Sequence, residues 1–109
     1  MSLYAEYARE LLGRSVIETD KGFITYRYPD ESTVYIENLY VIPDFRKTAL
    51  ASAMADEVIL EAKTKGCTKC LGSVIPSANN STVSMKVLLA YGFQIDSATT
   101  DFILMKKDI

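Results

Sequence analysis

Hydrophobic and polar positions follow two different periods along the chain, and each change of period predicts a new element. The first apolar positions recur at helical spacing, at Leu3, Tyr4, Tyr7, Ala8, Leu11 and Leu12. Gly13 follows them as a helix stop. Ser15 to Glu18 and Phe23 to Tyr28 are then rich in β-branched and aromatic residues, with an Asp- and Gly-containing turn between them. The pattern predicts a short helix and a hairpin.

The longest strand candidate is Thr33 to Ile42, which is apolar on both faces except for Glu37 and Asn38. A turn over Pro29 to Ser32 precedes it. Pro43 ends it, because proline cannot donate a hydrogen bond to a neighbouring strand. We expect a strand of this kind in the centre of a sheet.

Two further helices are predicted after the central strand. Thr48 to Lys65 has an amphipathic pattern and is followed by Gly66. Its predicted apolar face consists of Leu50, Ala53, Met54 and Val58. Cys70 to Ile75 is a short strand, placed parallel to the central one because a helix connects the two. Ser81 to Tyr91 forms the second helix, after a loop over Pro76 to Asn80.

Phe93 to Ser97 and Asp101 to Lys106 complete the chain as a last pair of strands. The order α-β-β-β-α-β-α-β-β predicts an α/β fold, a mixed sheet with helices on its faces. With 109 residues, of which 49% are hydrophobic, the chain has enough apolar material for one core. We therefore expect residues 1–109 to form a single domain.

The charged residues narrow the class of partner. The net charge of -2 comes from interspersed acidic and basic residues without a basic cluster, so we expect no nucleic-acid partner. The sequence has no apolar run long enough to span a bilayer, and Glu6, Arg9 and Glu10 interrupt the segment that a signal peptide would need. A cytoplasmic protein without a membrane partner is expected.

Cys67 and Cys70 have the spacing of half a zinc site. The chain has no histidine and no second cysteine pair, so a tetrahedral site would need another chain or several carboxylates. A redox role would need the first cysteine at a helix start, whereas both follow a predicted helix and lead into a strand. We expect two structural thiols and no metal.

The junction between the central strand and the main helix is a candidate anion site. A short turn with two cations, Arg46 and Lys47, leads into a helix that starts with the small residues Ala49 and Ala51. The unpaired amides and partial positive charge of a helix start bind phosphate, and small residues let the phosphate approach. The alternative is a helix start packed tightly on the sheet, for which alanine serves equally well.

Four stretches resemble the GNAT acetyltransferase family in their order and spacing: Leu39-Tyr40-Val41, Pro43-Asp44-Phe45-Arg46, Lys65-Gly66-Cys67 and Tyr91-Gly92-Phe93. The resemblance implies the acyl-CoA N-acyltransferase fold, with acetyl-CoA as co-substrate. It also implies transfer of the acetyl group to a primary amine, of a small molecule or of a protein or peptide, by direct attack in a ternary complex.

The same resemblance assigns cofactor-binding positions. The family's acyl-CoA loop falls on Arg46, Lys47, Thr48, Ala49, Leu50 and Ala51. Ala49 stands where the family usually has glycine. The amides of this loop would hold the pyrophosphate, and the backbone of Leu39 to Val41 would pair with the pantetheine arm. The family's asparagine near the start of the second helix falls at Ser81, and an offset of one residue places it at Asn80.

Two residues are the catalytic candidates. Glu37 is the only carboxylate in the central strand, at the spacing where some members of the family have the base that deprotonates the amine through water. The alternative is a strand glutamate paired with a neighbouring side chain. The family's tyrosine that protonates the departing thiolate falls at Leu88, and Tyr91, three residues on, is the candidate to replace it.

Three functions remain open. Arg46, Glu37 and the small loop residues favour an acetyltransferase, whereas Leu88 and Ala49 favour a non-catalytic module of this fold that binds CoA or a protein partner. A domain independent of CoA would have a helix start blocked by its own side chains. The family's first strand has no counterpart here, so we expect an open cleft for a protein or peptide amine, or one completed by a second subunit in a homodimer.

Overall fold

The computed structural model describes residues 3–11, 13–45, 49–74 and 81–109. In chain order its helices and strands are α1 (Leu3–Leu11), β1 (Ser15–Thr19), β2 (Gly22–Asp30), β3 (Thr33–Val41), α2 (Leu50–Thr64), β4 (Lys69–Val74), α3 (Ser81–Tyr91), β5 (Gln94–Ala98) and β6 (Ile103–Asp108). The predicted order of elements is confirmed, with an added 3-10 turn at Pro43–Phe45. Some predicted boundaries lie outside the described residues, at Leu12, Thr48, Ile75 and the loop Pro76 to Asn80.

The six strands form one sheet in the order β1-β2-β3-β4-β6-β5. β3 and β4 are parallel, with Val34 opposite Cys70, and the other neighbouring strands are antiparallel. The interior position of β3 and its parallel pairing with β4 confirm the predictions for the central strand. A strand that is apolar on both faces lies inside the sheet, and a helix carries the chain back to a parallel neighbour.

The turn between β2 and β3 is shorter than the sequence predicts. Asp30 pairs with Thr33, so Pro29 and Asp30 belong to β2 and not to the turn. The register shifts between Arg27 and Asp30, and an irregular part of a ladder accommodates a proline because no N–H is needed there. The turn itself is therefore two residues long.

The helix α2 packs one face on the sheet. Its buried residues are Met54, Val58, Ile59 and Ala62. They belong to one cluster of buried side chains that also includes residues of β2, β3, β4 and β6. Ala53, predicted on the apolar face, is exposed, because the buried face follows Met54, Val58 and Ala62 at intervals of four residues.

The strands β3 and β4 stay together at one end only. Their pairs are Thr33 with Lys69, Val34 with Cys70 and Tyr35 with Leu71. Beyond these pairs β3 continues to Val41 beside β2, and the described residues of β4 from Gly72 to Val74 pair with β6. We call the paired part, Thr33 to Tyr35, the closed end of the sheet, and the part of β3 beyond Tyr35 the open end.

Candidate active site

A β-bulge marks the start of the open end. Thr25 of β2 pairs with Asn38 and Tyr26 pairs with Ile36, so Glu37 is an extra residue on β3. A bulge bends its strand and changes the direction of the side chain that it carries. The bend of β3 therefore coincides with the position of Glu37 and with the loss of pairing to β4.

Glu37 is held by two arginines. Its Oε1 atom accepts a hydrogen bond from Arg14 Nε at 2.8 Å, and its Oε2 atom lies 3.5 Å from Arg27 Nε. The Glu37 side chain is 17% exposed, so solvent still reaches it. Glu37 is thus ion-paired, which is the arrangement that the sequence leaves open beside a role as a base.

These charged side chains lie on the face of the sheet that points away from α2. Tyr26 donates a hydrogen bond to Glu61 of α2 at 2.5 Å, so Arg27, the next residue, points to the other face. The Arg27 Cζ atom lies 5.1 Å from the ring centroid of Tyr35, whose hydroxyl donates to Ser73 Oγ of β4 at 2.8 Å. Polar side chains therefore cross the sheet from β2 to β4 where the open end begins.

The N-terminus of α2 stands at the open end, because the chain passes from Val41 through the 3-10 turn towards this helix. The N-cap residue is Ala49, which makes no side-chain hydrogen bond to the first turn. That turn has no acidic residue, so its partial positive charge is not neutralised within it. Leu39 and Tyr40 of β3 are 42% and 43% exposed. The N-cap therefore does not block the helix start.

The predicted acyl-CoA loop is described in part. Ala49 is the N-cap of α2, and Leu50 and Ala51 are its first two residues. The other predicted cofactor-binding positions lie outside the described residues: Arg46, Lys47, Thr48 and Asn80. The described part of the loop lies at the same end of the sheet as the open end of β3.

Tyr91, the last residue of α3, is tied to α2. Its hydroxyl donates a hydrogen bond to Asp56 Oδ1. Burial and the Asp56 carboxylate raise the pKa of Tyr91 well above its ordinary value. Leu88, where the family has its tyrosine, points at β4, since its side chain lies 3.8 Å from the place of a Cβ atom on Gly72.

Glu37 and Tyr91 are not brought into contact. Tyr91 lies on the face of the sheet covered by α2, and the Glu37 carboxylate lies with Arg27 on the other face. Among the described residues the two share no hydrogen-bond or ion-pair partner. Because β3 and β4 have parted at the open end, a molecule lying between them would be accessible from both faces.

A second carboxylate network lies on the face of the sheet that α2 covers. Glu61 accepts hydrogen bonds from the Tyr26 and Tyr28 hydroxyls at 2.5 and 2.9 Å, and Lys65 Nζ lies 3.5 Å from it. Burial alone would raise the pKa of Glu61, but the hydrogen bonds from the tyrosines and the charge of Lys65 outweigh burial and lower it. A shallow depression of about 640 Å³ beside Tyr28 and Lys65 is partly lined by these mutually satisfied groups.

The sequence alone does not identify four of these partners: Arg14, Arg27, Asp56 and Glu61. Arg27 carries a usable signal, because it stands between two tyrosines of an alternating strand and so must point to the opposite face. The partners of Arg14 and Glu61 are 23 and 35 positions away, and no local pattern joins positions so far apart.

Cys67 and Cys70 are buried free thiols. Burial raises the pKa of Cys70 to about 12, so its reactive thiolate is scarce near neutral pH. Across the described ranges, no group of three or more His, Cys, Asp or Glu residues is arranged to hold a metal ion. Both cysteines thus have the environment of structural thiols.

The parted parallel strands beside an uncapped helix start define an acyl-CoA N-acyltransferase type of fold. Residues 3–93 match the acetyltransferase (GNAT) family. The chain belongs to this family. No curated protein matches it by sequence.

Solved structures agree with this fold. The PaiA N-acetyltransferase of Thermoplasma acidophilum, in complex with coenzyme A, matches with a TM-score of 0.74 at 19% identity over 82% of this chain, which spans only 54% of that protein. Ard1 of Thermoplasma volcanium matches with a TM-score of 0.75 at 17% identity, covering 98% of this chain and 78% of its own. A GNAT acetyltransferase of Elizabethkingia anophelis with acetyl-CoA bound gives 0.76 at 20% identity, with 99% and 84% covered. At these identities the likeness establishes the fold.

None of the helices in the described parts of the chain has the length and apolar composition needed to cross a bilayer.

Proposed function

We propose that this protein transfers an acetyl group from acetyl-CoA to a primary amine by direct attack in a ternary complex. The observation that carries the proposal is the parting of β3 from β4 after Tyr35, at the end of the sheet where α2 begins with the uncapped Ala49. A helix start of this kind binds anions, and parted strands leave room for an extended arm. The relatives solved with coenzyme A and with acetyl-CoA support this choice of ligand.

In the proposed complex, the pyrophosphate lies at the start of α2. Amides of the loop that ends with Ala49, Leu50 and Ala51 hold it, and Arg46 adds a charge. The pantetheine arm runs along β3 at Leu39, Tyr40 and Val41, and Asn80 contributes from the start of α3. The arm then delivers the thioester to the bulge at Glu37.

The proposed chemistry is a single acyl transfer. The amine nitrogen attacks the thioester carbonyl carbon, a C–N bond forms, and the C–S bond breaks. Glu37 accepts the proton that the amine loses, directly or through water, and the thiolate takes a proton from Tyr91. The phenol of Tyr91 is protonated at neutral pH, as a proton donor requires, although its raised pKa makes it a weaker acid than an ordinary tyrosine.

The assembly is also a proposal. The six strands form one sheet, and α2 shares one buried cluster with β2, β3, β4 and β6, which supports a single domain over residues 1–109. The acceptor side of the cleft would be completed by a large acceptor or by a second copy in a homodimer.

A non-catalytic module that binds CoA is the second candidate. Leu88 packs at β4 where the family has its tyrosine, and the Tyr91 hydroxyl is engaged by Asp56. The first observation removes the family's proton donor, and the second engages the candidate that would replace it. A thiolate is nevertheless a tolerable leaving group, since a thiol has a pKa of about 8.5. We therefore place catalysis first.

The substitution Ala49→Asp tests the anion site by separating stability from binding. An N-cap aspartate stabilises a helix by about 1 kcal/mol, so the melting temperature of the free protein should rise. The same carboxylate repels the pyrophosphate, so the calorimetric affinity for acetyl-CoA should fall by at least roughly 100-fold, the effect of losing about 3 kcal/mol of charge-assisted contacts.

The matched control is Ala49→Ser, which caps the helix without a charge and should keep acetyl-CoA binding. If wild-type protein does not bind acetyl-CoA, the proposed function is wrong. If Ala49→Asp binds as well as Ala49→Ser, the helix start is not the pyrophosphate site.

A further inference from the structure

We propose that Arg14 and Arg27 bind a carboxylate of the acceptor, so that the acceptor is an amine with a free carboxylate nearby, as in an amino acid. This inference rests on the proposed function, in which the acceptor amine approaches Glu37. The Nε atoms of Arg14 and Arg27 lie 2.8 and 3.5 Å from the Glu37 carboxylate. Any acceptor that reaches Glu37 therefore also reaches both guanidinium groups.

The two arginines concentrate positive charge at the bulge. Ser15 pairs with Tyr26, so Arg14 and Arg27 are the next residues along the two facing strands. Like charges facing each other across strands destabilise a sheet, and Glu37 compensates one of the two. The group retains a formal charge of +1, from two arginines and one glutamate.

Three ion pairs elsewhere in the described residues join one cation to one anion: Lys21 with Asp20, Lys65 with Glu61 and Lys106 with Asp96. The cluster at the bulge differs from these three because it has two cations for one anion. Because the whole chain carries a net charge of -2, this excess of positive charge is local and opposes the overall sign.

The guanidinium groups have donors to spare. Each has five N–H donors, whereas one carboxylate offers about four acceptor sites, so Glu37 cannot engage all ten. The Arg14 and Arg27 side chains are 38% and 44% exposed, so a ligand can reach them. Tyr35 lies under Arg27 and is hydrogen-bonded across to Ser73, which restrains the guanidinium before a ligand arrives.

The charge also selects the form of the amine. Two cations beside the attack point disfavour an ammonium group and favour the neutral amine that attacks a carbonyl. They repel a polycationic acceptor, whereas a neighbouring carboxylate satisfies the unused guanidinium donors in the planar geometry that arginine prefers. A free amino acid has this carboxylate beside a single amine, which loses its proton before it attacks.

The test compares amino acids with their carboxamides, which keep the side chain but lose the negative charge. The carboxamides also have a lower amine pKa, so rates are compared at equal concentrations of neutral amine. Rates of thiol release from acetyl-CoA should give a kcat/KM that is roughly ten to one hundred times higher for the acids, the range expected for hydrogen bonds to a charged group. Arg27→Met should remove this preference by raising KM for the acids, while the amides change little. Lys106→Met, which removes a cation from a one-to-one pair, should keep the preference.

The wild-type comparison needs no variant, so it stands even if Arg27→Met is unstable. Equal use of acids and amides, or preference for polyamines, would overturn the acceptor proposal and leave acetyl transfer intact. If acetyl-CoA binds but neither acids nor amides nor polyamines are acetylated, the proposed transfer to amines is itself wrong, and the acceptor proposal falls with it.

Discussion

Two glutamates, one on each face of the sheet, show how the same side chain acquires different surroundings. On the face covered by α2, Glu61 accepts two tyrosine hydroxyls and faces a single cation, Lys65. On the other face, Glu37 stands on a bulge between two arginines. The hydroxyl donors of Glu61 add no charge, whereas the arginines leave a surplus beside Glu37. Glu61 therefore closes a satisfied network, and Glu37 belongs to one that can accept a further anion.

The two ends of the sheet differ in their backbone pairing. Where β3 pairs with β4, a continuous backbone ladder joins the strands, and their buried side chains belong to the cluster that α2 covers. Where the strands part, the edge of β3 beyond Tyr35 has no β4 partner within the described ranges. Stability is thus expected mainly from the closed end and function from the open end.

The largest effect is expected from Glu37→Gln. If Glu37 is the base, turnover should fall by roughly 100-fold or more, the scale of general base catalysis, with little change in acetyl-CoA affinity. Turnover is measured by thiol release and affinity by calorimetry. The same substitution at Glu61 is the matched control and should leave turnover unchanged. An unaltered rate and pH profile in Glu37→Gln would mean that the amine loses its proton to bulk water.

A smaller effect, on stability alone, is expected from Glu61→Gln. The glutamine cannot accept both tyrosine hydroxyls as the carboxylate does, so the free energy of unfolding at pH 7 should fall by about 1–2 kcal/mol, a range reduced for partial exposure. The exposed Glu57 on the same helix supplies the control, because Glu57→Gln should change stability by less than about 0.5 kcal/mol.

The pH dependence of this loss has a definite sign. Because the pKa of Glu61 is lower in the folded chain than in the unfolded one, its contribution is complete above the ordinary glutamate pKa of about 4.3 and is lost as pH falls through the lower folded value. The difference between wild type and Glu61→Gln, measured by urea unfolding, should therefore shrink from pH 7 to about pH 3. A difference that is constant over this range would show that the charge of Glu61 contributes nothing.

The periodicity of the sequence predicted the order of elements, the central strand and its parallel neighbour, because these depend on local spacing and on chain connectivity. It misplaced Ala53, since a small residue fits the buried and the exposed side of a helix equally well. Glu37 was visible as a lone carboxylate in an apolar strand. Its bulge and its arginine partners were not, because they depend on register between strands.

The site was predicted less completely than the fold. The strand-to-helix junction at Ala49 suggested an anion site from physical chemistry, but the identity of the anion came from the family resemblance. Tyr91 shows that contacts between distant parts of the chain could not be predicted. Its position three residues after Leu88 follows from the sequence, whereas its hydrogen bond to Asp56 joins helices that are 35 positions apart at these residues.

The smallest effect on turnover is expected from Tyr91→Phe. Asp56→Ala is its control, because it breaks the same hydrogen bond and keeps the phenol. Both changes break the link between α3 and α2, so both should cost at most about 1 kcal/mol of stability. Only Tyr91→Phe removes the phenol. Because a thiolate departs acceptably without a proton, turnover measured by thiol release should fall only about three- to tenfold.

Asp56→Ala keeps the phenol and removes one cause of its raised pKa, so turnover in that variant should stay the same or rise. Equal losses of turnover in the two variants would show that Tyr91 acts only by joining the helices. If Tyr91→Phe is as active as wild type, protonation of the thiolate by Tyr91 does not limit turnover, and Tyr91 has not replaced the tyrosine that the family has at the position of Leu88. A loss of roughly 100-fold or more confined to Tyr91→Phe would instead make the phenol an obligatory donor. The Tyr91 hydroxyl would then have to leave Asp56 and turn towards the gap between β3 and β4 during each turnover.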